Sequence, residues 1–375
     1  MRTRSMWLAP LAGLAVIVAA CAGGATASPS ASESAAPSVV PSESASPTAA
    51  PTPTPKPLKI GMVTDIGQLE DKSFNEFSWK GVQDGATAVG GKADVIVTKD
   101  TADYATNIQT FVDQGYDVIV TVGFLIGSDT LKAAQANANI QFFGVDQFVC
   151  VAANADDKAC TANPPNYQGL VFTEAQPGYL AGIVAASISK SGIIGTVGGQ
   201  SNVPPVVSYI NGYKNGAASI NPKVKVLVNY TESFNSPDKG EAAAKAMIGQ
   251  KADVIFQVAG LTGAGALRAA CTAGIWGIGV DVDQYLSLPD AQKCIVTSAE
   301  KRLQAAVSQG IQRFAKDGPQ KDNFVNDAKN DGIGVSEIRN ITPPADLQGK
   351  IDTALAGLKD GSIDPCKPIA CNTIP

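Results

Sequence analysis

The sequence feature that most constrains the fold is an internal repeat of a strand–helix–strand unit. Asp117-Val118-Ile119 and Asp253-Val254-Ile255 each begin a predicted strand. At the same offset of about 136 residues, Leu-Lys-Ala-Ala and Leu-Arg-Ala-Ala lie on the following helices, and the next strands both end in Gly-Val-Asp. A chain that repeats this unit is expected to fold into two similar lobes, each a doubly wound α/β sheet of parallel strands.

Aspartates mark the carboxyl ends of predicted strands in both halves. Asp65 and Asp146 follow strands of the first lobe, and Asp281 and Asp283 follow one strand of the second. One aspartate at such a position is typical of a helix cap. Four of them in matched lobes predict a ligand site in a cleft between the lobes, because ligands of open α/β sheets bind at the carboxyl ends of the strands.

The segment between the first strand and the first helix contains candidate aromatic contacts. A β-branched strand ends at Asp65, an acidic loop with a glycine follows, and Ser73 or Asn75 is predicted to cap the helix. Phe77 is expected to pack this helix against the sheet. Phe74 lies at the junction of loop and helix beside polar residues, and we expect its ring to face the cleft.

The composition excludes several classes of function. The 375 residues include no histidine, which removes Ser-His-Asp and Cys-His catalysis and histidine-bound metals. An enzyme would need Asp, Glu, Lys or Tyr as its acid and base. The net charge of −5 and the lack of a basic stripe or an RNP-like motif argue against nucleic-acid binding. Composition alone thus leaves an enzyme possible; together with the site and the resemblance described below, we expect a binding protein with no enzyme activity, no cofactor and no metal.

The first residues have the pattern of an exported lipoprotein. Arg2 and Arg4 precede an apolar run, Trp7–Ala20, which is too short to span a bilayer and ends in small residues before Cys21. The pattern resembles a bacterial lipobox, which implies cleavage directly before the cysteine and lipid attachment to its sulfur; an ordinary secretory peptide is the alternative. Residues 22–57 are rich in Ala, Ser, Pro and Thr and are predicted to form an extended, disordered tether.

The cysteines predict three structural disulfides. The chain has seven cysteines, and six remain when Cys21 is assigned to the lipid. An exported chain favours disulfides, although the spacing alone does not fix the connectivity. Free thiols are the alternative, and none of the spacings is the C-x-x-C of a metal knuckle. The neighbouring pairs are Cys150 with Cys160, Cys271 with Cys294, and Cys366 with Cys371.

A series of motifs resembles the basic-membrane-protein family of substrate-binding lipoproteins, whose characterised members include purine nucleoside receptors. The resemblance covers about residues 58–320. The chain departs from the common pattern at Gln68-Leu69-Glu70, at Leu261 where a second glycine is usual, and in its added cysteines. The motifs appear in the order MVTDIGQLEDKSFNEFSWKG, VGFLIG, FFGVDQ, YLAGIVAA, NVPPVVSYINGYKNGA, ESFNSPDKGEAAAKAM, VIFQVAGLTGAG, GVDVDQ and TSAEKR.

The resemblance implies a type I periplasmic-binding-protein fold, in which two lobes close over a ligand. It also implies that a nucleoside base stacks between two phenylalanines, one from each lobe. Aspartates would contact the base edge and, with a lysine, the ribose hydroxyls, while a glycine would let the backbone approach. The residues implied are Phe74 and Phe234 for stacking, Asp65 for the base edge, Asp146, Asp281 and Lys301 for the ribose, Gly260 for the backbone approach, and Asp71, Asn75 and Asp283 as further candidates.

Four of these residues have a structural alternative, which for Gly260 is that it only provides backbone freedom. Phe234 can instead be a loop residue packed under the second lobe, and Lys301 can be a solvated helix residue. Asp283 is expected to brace the loop after Asp281 rather than to contact the ligand.

The predicted domains follow from these assignments. Residues 1–20 form the signal peptide and 21–57 the lipidated cysteine and tether. The first lobe comprises residues 58–173 with about 299–325, and the second comprises 174–298 with about 326–375.

Taken together, the sequence predicts the solute-binding lipoprotein of an ABC importer, anchored in the cell membrane and facing outside the cytoplasm. A monomer would bind a nucleoside, with a purine favoured, and deliver it to permease and ATPase subunits on other chains. The alternatives are a receptor for another small ligand such as a sugar or a signalling molecule, a structural or adhesion lipoprotein, and a dinucleotide-dependent enzyme. The last rests on GLTGAGALRA followed by Asp281, which resembles part of a G-x-G-x-x-G fingerprint but has Arg268 at the third glycine position.

Overall fold

The structure is a computed structural model that describes residues 57–148 and 164–371. The predicted leader, Cys21 and the tether lie outside the described residues. Cys150 and Cys160 also lie outside them, so the disulfide predicted between these two residues stays a prediction. Within the described ranges, no helix has both the length and the apolar character needed to cross a membrane.

Two six-stranded sheets form the framework of the described chain. The first sheet contains β1 (Lys59–Ile66), β2 (Lys92–Thr98), β3 (Val118–Val122), β4 (Gln141–Val145), β5 (Tyr167–Phe172) and β11 (Asp322–Asn326). The second contains β6 (Ile193–Gly198), β7 (Lys225–Tyr230), β8 (Val254–Val258), β9 (Trp276–Asp281), β10 (Ile295–Lys301) and β12 (Ile333–Val335). Their strand orders are β11-β5-β4-β3-β1-β2 and β12-β10-β9-β8-β6-β7.

The two sheets share one topology because the chain repeats itself. All strand pairs are parallel except β10 with β12, which is antiparallel. The repeated sequence units occupy β3 and β4 in one sheet and β8 and β9 in the other, at equivalent places in the strand order. β3 and β8 are buried along their whole length, as expected for parallel strands covered on both faces.

Helices cover the faces of both sheets. The first lobe consists of the first sheet with α1 (Phe74–Ala88), α2 (Tyr104–Asp113), α3 (Gly127–Ala136) and α9 (Leu303–Asp317). The second lobe consists of the second sheet with α4 (Ala175–Ile188), α5 (Pro204–Ile220), α6 (Pro237–Gly249), α7 (Gly260–Thr272), α8 (Gln284–Ser287) and α10 (Leu347–Asp360).

The chain passes between the lobes three times. The crossings follow β5, β10 and β11. Because β10 runs to Lys301 as part of the second sheet, the second crossing lies after residue 301. α9 then packs on α1 of the first lobe, where the backbone of Gln304 lies against Gly81. The base of the cleft is therefore made of three neighbouring connections.

Two disulfides join neighbouring cysteines in the described chain. Cys271 at the end of α7 is bonded to Cys294, which immediately precedes β10. Cys366 is bonded to Cys371 near the C-terminus. The buried side chain of Asn215 in α5 holds this last loop, because its amide donates to the carbonyl of Ile369 at 2.7 Å and accepts from the same residue's N–H at 3.0 Å.

Glycines bring α4 and α5 into close contact. Gly178 and Gly182 lie four residues apart on α4 and face the backbone of α5. Gly212 and Gly216 have the same spacing on α5 and face the backbone of α4. A Cβ atom at any of these positions would overlap a carbonyl group of the other helix, so the two helices pack backbone to backbone.

This packing predicts that Gly182→Ala destabilises the protein. The new methyl group would overlap the carbonyl oxygen of Tyr213, and the shift of α5 is expected to cost about 1–3 kcal/mol in the free energy of unfolding, measured by urea denaturation. Gly349→Ala in α10 is the matched control. Its Cβ meets nothing within 4 Å, so we expect this variant to be more stable by about 0.5–1 kcal/mol. Equal effects of the two variants would contradict the close packing of α4 and α5.

Candidate ligand-binding site

A cleft between the two lobes is the candidate site. It encloses about 710 Å³ of empty space, including its opening to solvent. Its walls come from the carboxyl ends of strands in both sheets, as the positions of the aspartates predicted. The residues that line it are Asp65, Ile66, Gly67, Gln68, Asp71, Phe74, Asn75, Gly123, Phe124, Asp146, Val203, Pro205, Val206, Tyr209, Phe234, Val258, Ala259, Gly260, Val280, Asp281 and Lys301.

Asp146 and Asp281 occupy equivalent positions in the two lobes. Asp146 directly follows β4, and Asp281 is the last residue of β9. Both have a left-handed backbone, with φ of 57° and 65°, which is uncommon for residues other than glycine. The same unusual turn at both strand ends brings the two carboxyl groups into the cleft from opposite lobes.

Lys301 joins these two carboxyl groups. Its Nζ lies 2.5 Å from Oδ2 of Asp146 and 3.9 Å from Oδ1 of Asp281. A third carboxyl group, that of Glu174, lies 3.8 Å away. The ammonium group also lies above the ring of Phe74, 4.9 Å from its centroid. Lys301 is only 3% exposed, so it is a buried charge and not a solvated helix residue.

Burial shifts the pKa of every group in this cluster. It raises the pKa of Glu174 to about 8, with the charge of Asp146 as the second cause. It also raises the pKa of Asp146 and of Asp281, although Lys301 opposes both shifts. Burial lowers the pKa of Lys301, but the three carboxyl groups outweigh this and the pKa is raised. The lysine therefore stays charged, and a pKa of about 8 lets Glu174 keep its proton near neutral pH.

The carboxyl group of Asp65 binds its own lobe. It accepts hydrogen bonds from the hydroxyl of Tyr104, from the N–H of Ile66 at 2.6 Å and from the N–H of Leu125 at 2.9 Å. Burial raises its pKa, while these donors lower it. Asp65 lines the cleft, but it also holds the loops after β1 and β3 together.

Asp71 caps α1, a role that the sequence assigned to Ser73 or Asn75. Its carboxyl oxygens accept from the N–H groups of Ser73 and Asn75 at 2.9 Å and of Glu76 at 3.2 Å. The side chain of Ser73 makes no capping bond. Aspartate and serine have similar cap preferences, and the left-handed backbone of Lys72 carries the chain from the aspartate to the helix.

Asn75 presents a free acceptor in the cleft. Its Nδ2 donates to the carbonyl of Gln68 at 3.1 Å, which fixes the amide orientation. Its Oδ1 is buried and has no hydrogen-bond partner. Oδ1 of Asp146 is a second buried acceptor without a partner. Because such atoms are costly when unpaired, both call for donors from a ligand.

Two phenylalanines line the cleft from opposite lobes. Phe74 begins α1, and Phe234 lies in the loop before α6. Both rings are half-buried, and the ring of Phe234 packs directly over Gly199. Gly260, with φ of 55°, begins α7 beside the backbone of Phe234. The second phenylalanine is therefore a cleft residue that also packs on its own lobe.

Hydrogen bonds between the lobes hold the cleft closed. The hydroxyl of Ser73 donates to Oδ2 of Asp281 at 2.8 Å, and that of Ser287 donates to the carbonyl of Lys72 at 2.7 Å. Both bonds join the loop before α1 to the second lobe. These two hydrogen bonds bridge the cleft at its mouth, and Lys301 bridges it at its base.

The remaining candidates have structural roles. Asp283 does not line the cleft; it caps α8 and pairs with Arg339 at 2.7 Å, as a bracing residue would. The glycine-rich run after β8 lies within α7. Gly263 leaves room there for the side chain of Gln257, and Gly265 for the backbone of α6. These glycines serve helix packing and form no phosphate-binding turn.

Sequence reasoning missed three residues in or beside the cleft, which are Glu174, Tyr209 and Ser73. For Ser73 it missed the hydrogen bond to the other lobe. Glu174 lies two residues beyond the end of β5, and an acidic residue near a strand end is the signal that identified Asp65. Within the described chain, no group of three or more Cys, Asp or Glu side chains is arranged to hold a metal ion. The ammonium group of Lys301 occupies the centre of the acidic cluster instead.

The geometry is that of a solute-binding protein, and comparisons with known proteins agree. The chain belongs to the Bmp family of PnrA-like ABC transporter substrate-binding proteins, whose family model matches residues 58–358. It is 30% identical to the ABC transporter nucleoside-binding protein BmpA of Lactococcus lactis, over 82% of this chain and 88% of that protein. It is 29% identical to the CD4+ T-cell-stimulating antigen of Listeria monocytogenes, with the same coverage.

Solved structures share the fold. An ABC transporter solute-binding protein of Aeropyrum pernix aligns with a TM-score of 0.72 and 22% identity, over 82% of this chain and 93% of that one. A solute-binding protein of Conexibacter woesei aligns with a TM-score of 0.64 and 24% identity, over 82% and 98%. The predicted type I periplasmic-binding-protein fold and the family are thus confirmed. As a member of this family, the chain binds a small ligand for an ABC permease and is not an enzyme.

The buried cluster predicts that Lys301→Met strongly destabilises the protein near neutral pH. The substitution keeps the side-chain length but leaves Asp146 and Asp281 buried without an opposing charge, which is expected to cost about 3–5 kcal/mol in the free energy of unfolding. Lys245→Met, which removes an exposed ion pair with Glu241, is the control and should have little effect, because water screens such pairs. Urea denaturation measures both, and a Lys301→Met variant as stable as the control would contradict the buried-charge assignment.

Proposed function

We propose that this chain binds a nucleoside, with a purine favoured, and delivers it to the permease of an ABC importer. The observation that carries this proposal is the pairing of two aromatic rings from opposite lobes with an acidic cluster in one closed cleft. A planar base between Phe74 and Phe234 would place its ribose near Asp146, Asp281 and Lys301. The name of the Lactococcus lactis relative points to the same ligand class.

The energies of these contacts support a micromolar or tighter complex. Each aromatic contact is worth about 0.5–1.5 kcal/mol beyond the buried area. Hydrogen bonds from ribose hydroxyls to ionised aspartates are worth about 1.5–3 kcal/mol each. A dissociation constant of about 1 μM needs only about 8 kcal/mol in total after the costs of ordering.

The two acceptor atoms without a partner in the cleft narrow the choice of ligand further. Oδ1 of Asn75 needs a donor, and so does Oδ1 of Asp146. A base that carries an N–H group supplies the first and a ribose hydroxyl the second. The base edge is proposed to contact Asp65 as well, although that carboxyl group already accepts three hydrogen bonds within its lobe. Gly260 is proposed to let the backbone approach the base.

Attachment to the membrane is part of the proposed function. We propose that Cys21 carries the lipid and that residues 22–57 hold the binding domain away from the membrane surface. Two or more acyl chains would anchor it stably, since each buried methylene contributes about 0.8 kcal/mol. Closure of the lobes over the ligand would create the surface that a monomer presents to the permease.

Calorimetric titration tests the ligand class. The full chain is first unfolded and refolded to remove co-purified ligand, and is then titrated with adenosine, guanosine, inosine, cytidine, purine riboside and ribose. We expect one-site binding of a purine nucleoside, with ribose far weaker because it lacks the stacked base. Purine riboside, whose base has no N–H donor, should bind more weakly than the best purine nucleoside by about 0.5–1.5 kcal/mol, the usual worth of one hydrogen bond. If no nucleoside binds, the ligand class is wrong.

The stacking assignment predicts that Phe74→Ala and Phe234→Ala each weaken nucleoside binding by about tenfold or more without unfolding the protein. Phe77→Ala is the control, because Phe77 lies on the same helix as Phe74 but does not line the cleft. Calorimetry gives the affinities, and circular dichroism confirms that each variant is folded. Binding of both cleft variants at wild-type affinity would contradict the stacking of the base.

A further inference from the structure

Glu174 stands apart from the residues assigned to the ligand. It lies between β5 and α4, on the first crossing between the lobes, and is 5% exposed. It is absent from the cleft lining, yet its Oε1 lies 3.8 Å from the ammonium group of Lys301. The side chain therefore faces the ligand-binding lysine from the base of the cleft, and any effect on the ligand must act through that lysine.

The charges around Glu174 do not balance. The groups that face it are Asp146 at the end of β4, Asp281 at the end of β9, Lys301 at the end of β10 and the Tyr209 hydroxyl on α5. The hydroxyl of Tyr209 donates to a backbone carbonyl and adds no positive charge. Within the described ranges, Lys301 is the one basic side chain that pairs with the three carboxyl groups. If all three were ionised, two negative charges would remain uncompensated in a buried site.

Closure of the lobes creates this imbalance. Asp146 belongs to the first lobe and Asp281 to the second, while Glu174 lies on the connection between them. Opening the cleft separates the aspartates and admits water, so the mutual repulsion of the carboxyl groups weakens. The closed protein thus holds a proton on Glu174 more tightly than the open protein does.

We propose that Glu174 is a positioning residue that, in its neutral form, holds Lys301 between Asp146 and Asp281 and so makes closure over the ligand dependent on a bound proton. The inference rests on the proposed function, since it concerns the same cleft. The closed form holds the proton on Glu174 more tightly than the open form does. Ligand affinity is therefore highest at low pH and decreases as the pH rises toward the pKa of Glu174 in the closed form. One pKa unit between the open and closed forms corresponds to a tenfold change in affinity.

The test is the pH dependence of adenosine binding, because the adenosine base does not titrate between about pH 6 and pH 9. Calorimetry of the wild-type full chain should show affinity about tenfold lower at the upper end of this range. Glu174→Gln supplies a neutral group of the same shape that cannot ionise. We expect this variant to match the wild type at the lower pH and to keep that affinity across the range.

Glu300→Gln is the matched control. Glu300 precedes Lys301 in β10 and burial raises its pKa, but it pairs with Arg302 and lies outside the acidic cluster. This variant should keep the pH profile of the wild type. Asp71 is the competing source of a pH effect, because it lines the cleft and burial raises its pKa to about 7. If Glu174→Gln keeps the pH profile of the wild type, the pH dependence comes from another group such as Asp71, and the proposal is overturned.

A second measurement detects the bound proton directly. Adenosine titrations near neutral pH in two buffers of different ionisation enthalpy report the protons taken up on binding. We expect net uptake by the wild type and by Glu300→Gln, and none by Glu174→Gln. Adenosine binding without proton uptake and without a pH dependence would overturn the role of Glu174 and leave the proposed function intact. Failure of adenosine and of every other nucleoside to bind at any pH would instead contradict the proposed function.

Discussion

One ammonium group among three buried carboxyl groups is the interaction on which the cleft depends. Each lobe brings a carboxyl group to the interface, and two ionised carboxylates repel each other strongly in a buried site unless an opposing charge lies between them. Lys301 supplies that charge while lying 2.5 Å from Asp146 and within 4 Å of Asp281. The closed arrangement of the lobes therefore depends on the charge balance of the site. The aromatic walls exclude water, which would otherwise weaken the attraction between these charges.

The topology explains why these groups meet. Parallel strands direct their carboxyl ends to one edge of a sheet, so a repeated strand–helix–strand unit places an equivalent aspartate at the same edge of each lobe. The left-handed backbone at both aspartates aims the side chains across the interface. Lys301 is the last residue before the chain returns to the first lobe, which puts the charge beside the crossings. The residues proposed to bind the ligand thus lie beside the crossings between the lobes.

Much of this arrangement could be predicted from the sequence, and the misses have physical reasons. The two matched lobes were predicted because the repeated strand–helix–strand unit occupies equivalent strands of the two sheets. β12 (Ile333–Val335) was not predicted, since three residues carry no periodic pattern and only pairing with β10 makes them a strand. Asp71 was missed as the cap of α1 because the nearby Ser73 and Asn75 have equal preferences for the cap position. Glu174 was missed because its importance depends on distances to residues that are remote in the sequence.

The three crossings between the lobes have a mechanical consequence. With a single connection, one lobe could rotate about the backbone bonds of that connection. With two connections, one lobe could still twist relative to the other. Three neighbouring connections, one of them followed directly by Leu303 at the start of α9, permit bending about the line that joins them and resist twisting about any other axis. We therefore expect the lobes to open and close about this one axis, so that the same two faces meet at each closure.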